Sequence, residues 1–210
     1  MADLGFASGV FLRSVLIGIS IAAPLGPIGV LCVRRTLAQG MVFGLATGLG
    51  AACADALFAA LAGSGLALIS SFLAGWQYWI HLVGGIFLCF LGIRTARSIP
   101  ASITPQANRK GLAGAFGTTF FLTLTNPITM ISFAGIFAGL GLSTLGRSAA
   151  SVSTMVLGVF IGSCLWWLFL SGATSLFRAR FGARELLWVN RISGCIILAF
   201  GVVAIADIIL

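Results

Sequence analysis

Long stretches without charge separate the charged residues of this 210-residue chain. Between Arg35 and Arg94 the only charged residue is Asp55. A helix over these roughly 58 residues would be about 87 Å long, whereas the hydrocarbon core of a bilayer is about 30 Å thick. Residues 111–146 and 148–177 also carry no charge. Stretches of this length predict several helices that cross a membrane.

The composition excludes two other common classes of protein. Charged residues make up 8% of the chain and apolar residues 60%, whereas an ordinary soluble domain carries about 25% charged residues. So few polar side chains do not suffice to cover the surface of a soluble domain of this size. The apolar content also excludes a disordered chain.

The chain is therefore predicted to be an all-α polytopic membrane protein, with a single transmembrane domain over residues 1–210. Only helices and closed barrels satisfy their backbone groups in lipid, and apolar runs of this length are helical. The six predicted spans are Val10–Val33, Val42–Ile69, Gln77–Ala96, Leu112–Leu140, Ser151–Gly172 and Trp188–Ile209.

The basic residues fall almost entirely on one side of this topology. Of the twelve Lys and Arg residues, one face receives only Arg13 and Arg147. The other face receives Arg34, Arg35, Arg94, Arg97, Arg109, Lys110, Arg178, Arg180, Arg184 and Arg191. The positive-inside rule places this second face in the cytoplasm and both termini outside it. Topology thus accounts for the net charge of +8, and no nucleic-acid partner is expected.

Two predicted spans contain residues that interrupt a helix near its middle. The first span contains Pro24-Leu25-Gly26-Pro27 and the fourth contains Thr125-Asn126-Pro127. Proline lacks the N–H that a helix interior needs, and its ring clashes with the preceding turn. Asparagine is a favourable N-cap and proline a favourable first helical residue, so a second half-helix is predicted to begin at Asn126.

The interruptions fall at matching places in the two halves of the chain, about residues 1–100 and 111–210. Each half has three predicted spans, and because three is odd the second half would be inverted relative to the first. Interrupted helices at corresponding positions of inverted halves are typical of transporter substrate sites. The predicted architecture is therefore two inverted three-helix repeats with helices one and four interrupted.

Asp55 is the only acidic residue in the central part of a predicted span, at a depth similar to that of the two interruptions. A carboxylate at this depth is costly, and it usually faces a cavity, a partner or a transport pathway. A structural pair with an arginine or a helix end is the alternative. The residues predicted to line the substrate or ion pathway are Pro24, Gly26, Pro27, Asp55, Thr125, Asn126 and Pro127.

Residues for enzymatic chemistry are scarce. The chain has one histidine and four acidic residues, and it lacks the motifs of zinc hydrolases, serine hydrolases and phosphate-binding loops. Its five cysteines contain no C-x-x-C pair and lie in apolar segments, which favours small buried side chains over a disulfide or metal site. No catalytic residue, cofactor or bound metal is expected, and the protein is predicted not to be an enzyme.

Two smaller patterns concern helix packing and helix ends. Glycines at four-residue intervals are predicted to let helix backbones approach closely; they are Gly40, Gly44 and Gly48, Gly135 and Gly139, and Gly158 and Gly162. At the start of the sixth helix, Asn190 is predicted to act as a cap and Arg191 to extend its charge to the membrane surface.

With these motifs the chain resembles the lysine exporter (LysE-type) family, which includes homoserine and threonine efflux proteins. The resemblance covers nearly the whole chain, and it also includes the segment 190–194, Asn-Arg-Ile-Ser-Gly. Members commonly carry Pro-Gly-Pro followed by Asn in the first motif, whereas here Leu25 is inserted and Ile28 follows. The resemblance implies export of amino acids or similar small solutes across a bacterial-type cytoplasmic membrane, driven by the proton gradient.

The residues and the resemblance together predict a mechanism. Half-helix N-termini after Gly26 and Asn126 would face a substrate carboxylate, Asp55 would face the ammonium and exchange a proton, and one three-helix unit would rock against the other. The expected partners are a small-molecule substrate, protons and membrane lipid, and a homo-oligomer is left open. Efflux of a metal ion and a complex subunit without transport are the alternatives.

Overall fold

The computed structural model describes residues 2–24, 26–63, 67–98, 109–126, 129, 132–133 and 149–209. Within these ranges the protein is helical and contains no strand, which confirms the predicted all-α class. The α-helices are α1 (Ala2–Ala22), α2 (Pro27–Gln39), α3 (Met41–Gly63), α4 (Ala67–Ala96), α5 (Arg109–Leu124), α6 (Ala149–Phe177) and α7 (Ala183–Ile209). A turn of 3₁₀-helix, Arg178–Arg180, follows α6.

Several described helices have the length and composition of membrane spans. Three of them are each long and apolar enough to cross a membrane: Met41–Gly63, Ala149–Arg180 and Arg184–Ala206. Gly9–Ala22 and Pro27–Gln39 are long and apolar enough together, if they are counted as one bent span. Two shorter apolar helices, Leu82–Ala96 and Gly111–Leu124, lie within α4 and α5. The described residues thus confirm three or four of the six predicted spans.

The predicted interruption of the first span is present. α1 ends at Ala22 and α2 begins at Pro27, and the two helices meet at an angle of 80°. Gly26 is the N-cap of α2, and its N–H donates to the carbonyl oxygen of Pro24 at 2.8 Å. Pro27 stands at the first helical position, where its missing N–H removes no hydrogen bond.

α2 continues beyond Val33, where the first span was predicted to end, as far as Gln39. Arg34 and Arg35 therefore lie in a helix, and their predicted place in a loop was wrong. Gly40 alone separates α2 from α3, with φ 102° and ψ 169°, a backbone region open almost only to glycine. The predicted packing role of Gly40 is thus replaced by a tight turn.

Two other helix bounds differ from the prediction. α3 ends at Gly63 rather than Ile69, and α4 begins at Ala67 rather than Gln77. The longer α4 has a physical reason, because a helix in lipid continues as long as its backbone hydrogen bonds do and an unpaired backbone group is costly there.

The fourth predicted span is described only in part. α5 ends at Leu124, where the interruption was predicted, and the N–H of Thr125 closes its last turn by donating to the carbonyl oxygen of Phe121 at 3.0 Å. Thr129 is helical. Pro127 lies outside the described residues, as do Gly135 and Gly139 with their predicted packing role.

Contacts at glycines show the relative direction of α4 and α7. A Cβ atom on Gly92 would lie 2.6 Å from the backbone nitrogen of Leu198, so α7 approaches α4 at backbone distance. Four residues further along α4, Ala96 packs against Gly194. Residue numbers rise along α4 while they fall along α7, and the two helices are therefore antiparallel.

α6 packs between α1 and α3. Gly158 contacts the backbone of Phe11, and Gly162 contacts the backbone of Val15, so α1 and α6 run parallel and the predicted packing role of both glycines is confirmed. By the same reasoning α3 is antiparallel to α6 and parallel to α5. The contacts that give these two directions are Gly48 with Trp167, Gly63 with Met155, Gly111 with Phe43, and Gly50 with Phe116.

The α4–α7 contact can be tested with a pair of alanine substitutions. Gly92→Ala forces a methyl group against the backbone of α7, whereas Gly117→Ala meets no atom within 4 Å. Both changes raise helix propensity equally, so their difference reports packing alone. Overpacking costs about 1–3 kcal/mol, and a thermal unfolding midpoint lower by roughly 2–12 °C is expected for Gly92→Ala in detergent. Equal midpoints for the two variants would contradict the close contact.

Candidate functional site

Asp55 is buried in the middle of the bundle. It lies on α3, is 3% exposed, and is flanked along the helix by Ala54, which is fully buried. The hydroxyl of Ser163 on α6 donates a hydrogen bond of 2.7 Å to Oδ2 of Asp55. The indole Nε1 of Trp167, one turn further along α6, donates to Oγ of Ser163 at 3.1 Å. A directed chain of two hydrogen bonds therefore holds the carboxyl group.

Apolar clusters on either side of Asp55 place it at the level of the first interruption. One turn before it, Ala51 and Ala52 share a cluster with Ala22 and Ile28, which flank the break between α1 and α2. One turn after it begins a second cluster, which includes Phe58 and Ala59 of α3 and also Ile17, Ile21, Phe133 and Val159. The side chain of Asp55 thus lies between two clusters that both contain residues next to the helix break.

The residues on either side of the second interruption, at 125–127, lie at the level of Asp55. The rings of Phe58 and Phe133 lie 5.4 Å apart, and Leu124, the last residue of α5, packs against their cluster. The described residues that follow and precede the interruption therefore both pack against the cluster that begins on α3 one turn beyond Asp55.

The predicted pathway residues differ in their surroundings. Pro24 is exposed, and Pro27 is fully buried. Thr125 uses its hydroxyl to bond the carbonyl oxygen of Phe121 in its own helix at 2.9 Å, and Asn126 is 5% exposed. The hydrogen bond that positions the carboxyl group of Asp55 comes from α6 rather than from either interruption.

A cavity of about 560 Å³ lies at the end of the bundle where α2 and α4 end and α5 begins. Sites for small molecules have volumes of about 300–1,000 Å³. Arg34, Arg35 and Arg94 line this space, which we call the arginine cavity. Its other described lining residues are Leu31, Ala38, Gln39, Phe43, Phe87, Phe90, Leu91, Thr95, Ser98, Gly111, Gly114, Ala115, Thr118 and Asn190.

Arg34 joins α2 to α4 and α7. Its Nε donates to Oδ1 of Asn190 at 2.7 Å, and its Nη2 donates to Oγ of Ser98 at 2.6 Å. Asn190 in turn donates to the carbonyl oxygen of Ser98 at 2.9 Å and is 2% exposed. Asn190 is therefore not the cap that was predicted, since α7 begins at Ala183. It holds the guanidinium of Arg34 in place.

Arg35 joins α2 to α3 and α5. Its Nη1 donates to Oγ1 of Thr47 at 3.0 Å, to the carbonyl oxygen of Ala115 at 2.9 Å and to Oγ1 of Thr119 at 3.0 Å. These acceptors are all neutral, as are those of Arg34. Each guanidinium is thus oriented by the protein without being neutralised by these partners.

Sequence reasoning missed both arginines because it counted them only as loop charges. One sequence signal could have placed them in a helix. They directly follow an apolar half-helix, and no turn-forming residue occurs before Gly40. Arg191, by contrast, is exposed and lies over the ring of Trp188 at 5.9 Å, as expected of a cation at the membrane surface.

Metal ligands do not gather in the described part of the chain. No group of three or more His, Cys, Asp or Glu side chains occurs there. The five cysteines are free, and Cys32 is buried against the hydroxyl of Ser171 at 3.4 Å. No observation among these residues favours the metal-ion alternative.

A bundle of membrane-length helices, a bent span, a carboxyl group buried beside the bend and a solute-sized cavity at one end are features typical of a membrane transporter. The chain belongs to the LysE type translocator family, whose sequence pattern matches residues 19–207. Proteins of this family are transporters rather than enzymes. The suspected family is thereby confirmed.

Several relatives are similar over most of their length. The "Putative amino acid efflux protein YcgF" of Bacillus subtilis (strain 168) is 25% identical over 201 residues, 91% of this chain and 93% of that protein. The "Uncharacterized membrane protein YahN" of Escherichia coli (strain K12) is 30% identical over 175 residues, 80% of this chain and 76% of that protein. The "Chemotactic transduction protein ChpE" of Pseudomonas aeruginosa is 26% identical over 201 residues, 94% and 97% of the two chains. No solved structure matches the chain.

The hydrogen-bond chain at Asp55 can be tested on α6. Ser163→Ala removes the donor to Asp55 and the acceptor of Trp167, and an unsatisfied buried polar group costs about 1–3 kcal/mol. Ser153→Ala on the same helix is the control, because its exposed hydroxyl bonds only the carbonyl oxygen of Ala149 in its own helix. The thermal unfolding midpoint in detergent should fall by roughly 2–12 °C for Ser163→Ala and remain within about 1 °C for Ser153→Ala. Similar midpoints would show that the chain contributes little.

Proposed function

We propose that the protein exports amino acids or similar small solutes from the cytoplasm by proton-coupled alternating access. The observation that carries this proposal is the buried carboxyl group of Asp55 at the level of both helix interruptions. A mid-membrane acid beside interrupted helices is the arrangement expected of a coupled transporter. The name of the relative YcgF, an amino acid efflux protein, supports the substrate class.

The helix contacts support two inverted halves with six spans. Exchanging the halves pairs α1 with α5, α3 with α6, and α4 with α7. Under this exchange the parallel contact α1–α6 becomes the parallel contact α5–α3, and both are observed. The antiparallel contacts α3–α6 and α4–α7 map onto themselves. In this arrangement α4 is the third span. The fourth span consists of α5 and the segment that follows its interruption, which brings the total to six.

The arginines support an orientation. The arginine cavity joins the ends of α2 and α4 to the beginning of α5, and Arg178 after α6 donates to the carbonyl oxygen of Leu37 at 3.2 Å. The arginine-bearing segments therefore meet at one end of the bundle. We place this end in the cytoplasm, the protein in a bacterial inner membrane, and both termini on the far side.

In the transport cycle, the N-terminus of α2 at Gly26 would face a substrate carboxylate with its positive end. Asp55 would take the ammonium group or a proton, and Ser163 would hold the carboxyl group between these states. Binding of one excludes the other, which couples efflux of solute to entry of protons. Rocking of one three-helix half against the other would then expose the site to the two sides in turn.

Orientation can be measured with alkaline phosphatase, which is active only outside the cytoplasm. A fusion after Arg180 should be inactive, and a fusion after Leu210 should be active. The difference is expected to be at least about tenfold, because a single span separates the two junctions. An active fusion after Arg180 would reverse the orientation proposed for the arginine cavity.

Transport can be tested in inside-out membrane vesicles that contain the protein. A labelled amino acid mixture should accumulate when the lumen is acidified, and nigericin should abolish the accumulation. Asp55→Asn keeps the shape of the side chain and removes its proton exchange, so accumulation should fall to the level of protein-free vesicles. Glu185→Gln is the matched control, because it makes the same change at an exposed residue. Full accumulation with Asp55→Asn would refute the coupling role of Asp55.

A further inference from the structure

Among the residues that the structure describes, no acidic side chain lines the arginine cavity or bonds to its arginines. The chain contains four acidic residues, and Asp55 is bonded to Ser163 in the middle of the bundle. Asp3 is in the first turn of α1, which runs parallel to α6 and therefore begins at the opposite end of the bundle. Asp207 lies about 26 Å along α7 from Asn190, also away from the cavity. Glu185 is exposed beside Gly182 and does not line the cavity.

Three positive charges nevertheless act on one another there. Arg34, Arg35 and Arg94 line the same cavity. Like charges repel one another, and the neutral hydrogen-bond acceptors of Arg34 and Arg35 orient these two guanidinium groups without removing the repulsion. Binding of a small anion would relieve this repulsion.

The shape and chemistry of the cavity define this anion. Guanidinium groups have a planar fork that matches a carboxylate. One wall is apolar, formed by Phe87, Phe90 and Leu91, and suits a short carbon chain. The volume of about 560 Å³ holds a small solute.

We propose that the arginine cavity is a cytoplasmic binding site for small carboxylates of net negative charge, so that acidic amino acids are the preferred substrates and cationic ones are disfavoured. The inference rests on the proposed export function and names its substrate class. Thr47, which accepts a hydrogen bond from Arg35, is about 12 Å from Asp55 along α3. A solute in the cavity is therefore about two helical turns from the buried carboxyl group.

Binding can be measured without transport, by calorimetry on the protein in nanodiscs of phosphatidylcholine. L-Glutamate, its neutral isostere L-glutamine and L-lysine are compared at equal ionic strength. Glutamate should bind at least about tenfold more tightly than glutamine, the ratio expected for loss of one charged hydrogen-bonded pair, and lysine should not bind detectably. Lysine affinity equal to that of glutamate would overturn the inference.

Two substitutions at the C-terminal end of α4 and directly after it locate the site. Arg94→Gln removes a cavity arginine, and Arg97→Gln makes the same change at an arginine that is exposed like Arg94 but does not line the cavity. Glutamate binding should weaken about tenfold for Arg94→Gln and stay within about twofold for Arg97→Gln. Equal effects of the two substitutions would show that glutamate binding depends only on the overall positive charge of this surface. That result would overturn the assignment of the binding site to the arginine cavity.

A lipid headgroup is the other source of an anion, and a second nanodisc composition tests for it. The proposal requires that glutamate still binds when phosphatidylglycerol is present. Loss of glutamate binding there, with retention of phosphatidylglycerol that depends on Arg94, would identify a lipid site and overturn the proposal. Glutamate that binds but is not transported would contradict the export function and leave the binding site standing. Transport of glutamate unaffected by Arg94→Gln would overturn the binding site alone.

Discussion

In lipid, backbone polar groups have to find their partners within the protein, and the same requirement on buried polar side chains shapes the arrangement of the helices. Small hydroxyl groups satisfy it locally, as Thr36 and Thr123 do by bonding the carbonyl oxygen four residues earlier. Charged groups do not have this option and reach other helices. Asp55 ties α3 to α6, Arg34 ties α2 to α4 and α7, and Arg35 ties α2 to α3 and α5. The three residues that tie these helices together are also the ones on which the proposed function and the proposed binding site rest.

Features that depend on one segment of the chain could be predicted from the sequence. The interruption between Pro24 and Pro27 follows from proline chemistry, and the isolation of Asp55 follows from the absence of other charges around it. Close packing at Gly158 and Gly162 follows from their spacing. These signals are local, so a single sequence contains them.

Features that depend on two segments could not be predicted in this way. Ser163 is the partner of Asp55, yet it lies 108 residues away along the chain and is one of many serines. Arg34 and Arg35 read as loop cations because hydropathy does not register neutral acceptors on other helices. The four-residue spacing of Gly40, Gly44 and Gly48 predicted helix packing, whereas Gly40 forms the turn between α2 and α3. Spacing alone does not distinguish these roles.

The two charged regions have opposite characters that suit successive steps of one path. The arginine cavity is open, positively charged and at the end of the bundle, which suits capture of an anionic solute. Asp55 is closed off, acidic and at mid-depth, which suits exchange of a proton. About two helical turns of α3 connect them. In the proposed cycle, the positive charge of the cavity would raise the local concentration of carboxylates near the path to Asp55.

The central claim is that movement of a carboxylate solute in one direction drives protons in the other. Proteoliposomes that contain a pH-sensitive dye, with the membrane potential clamped by potassium and valinomycin, measure this exchange directly. External L-glutamate should raise the luminal pH, because protons leave as the solute enters, and L-lysine should leave it unchanged. A luminal pH that stays at the protein-free baseline with every carboxylate tested would contradict the account.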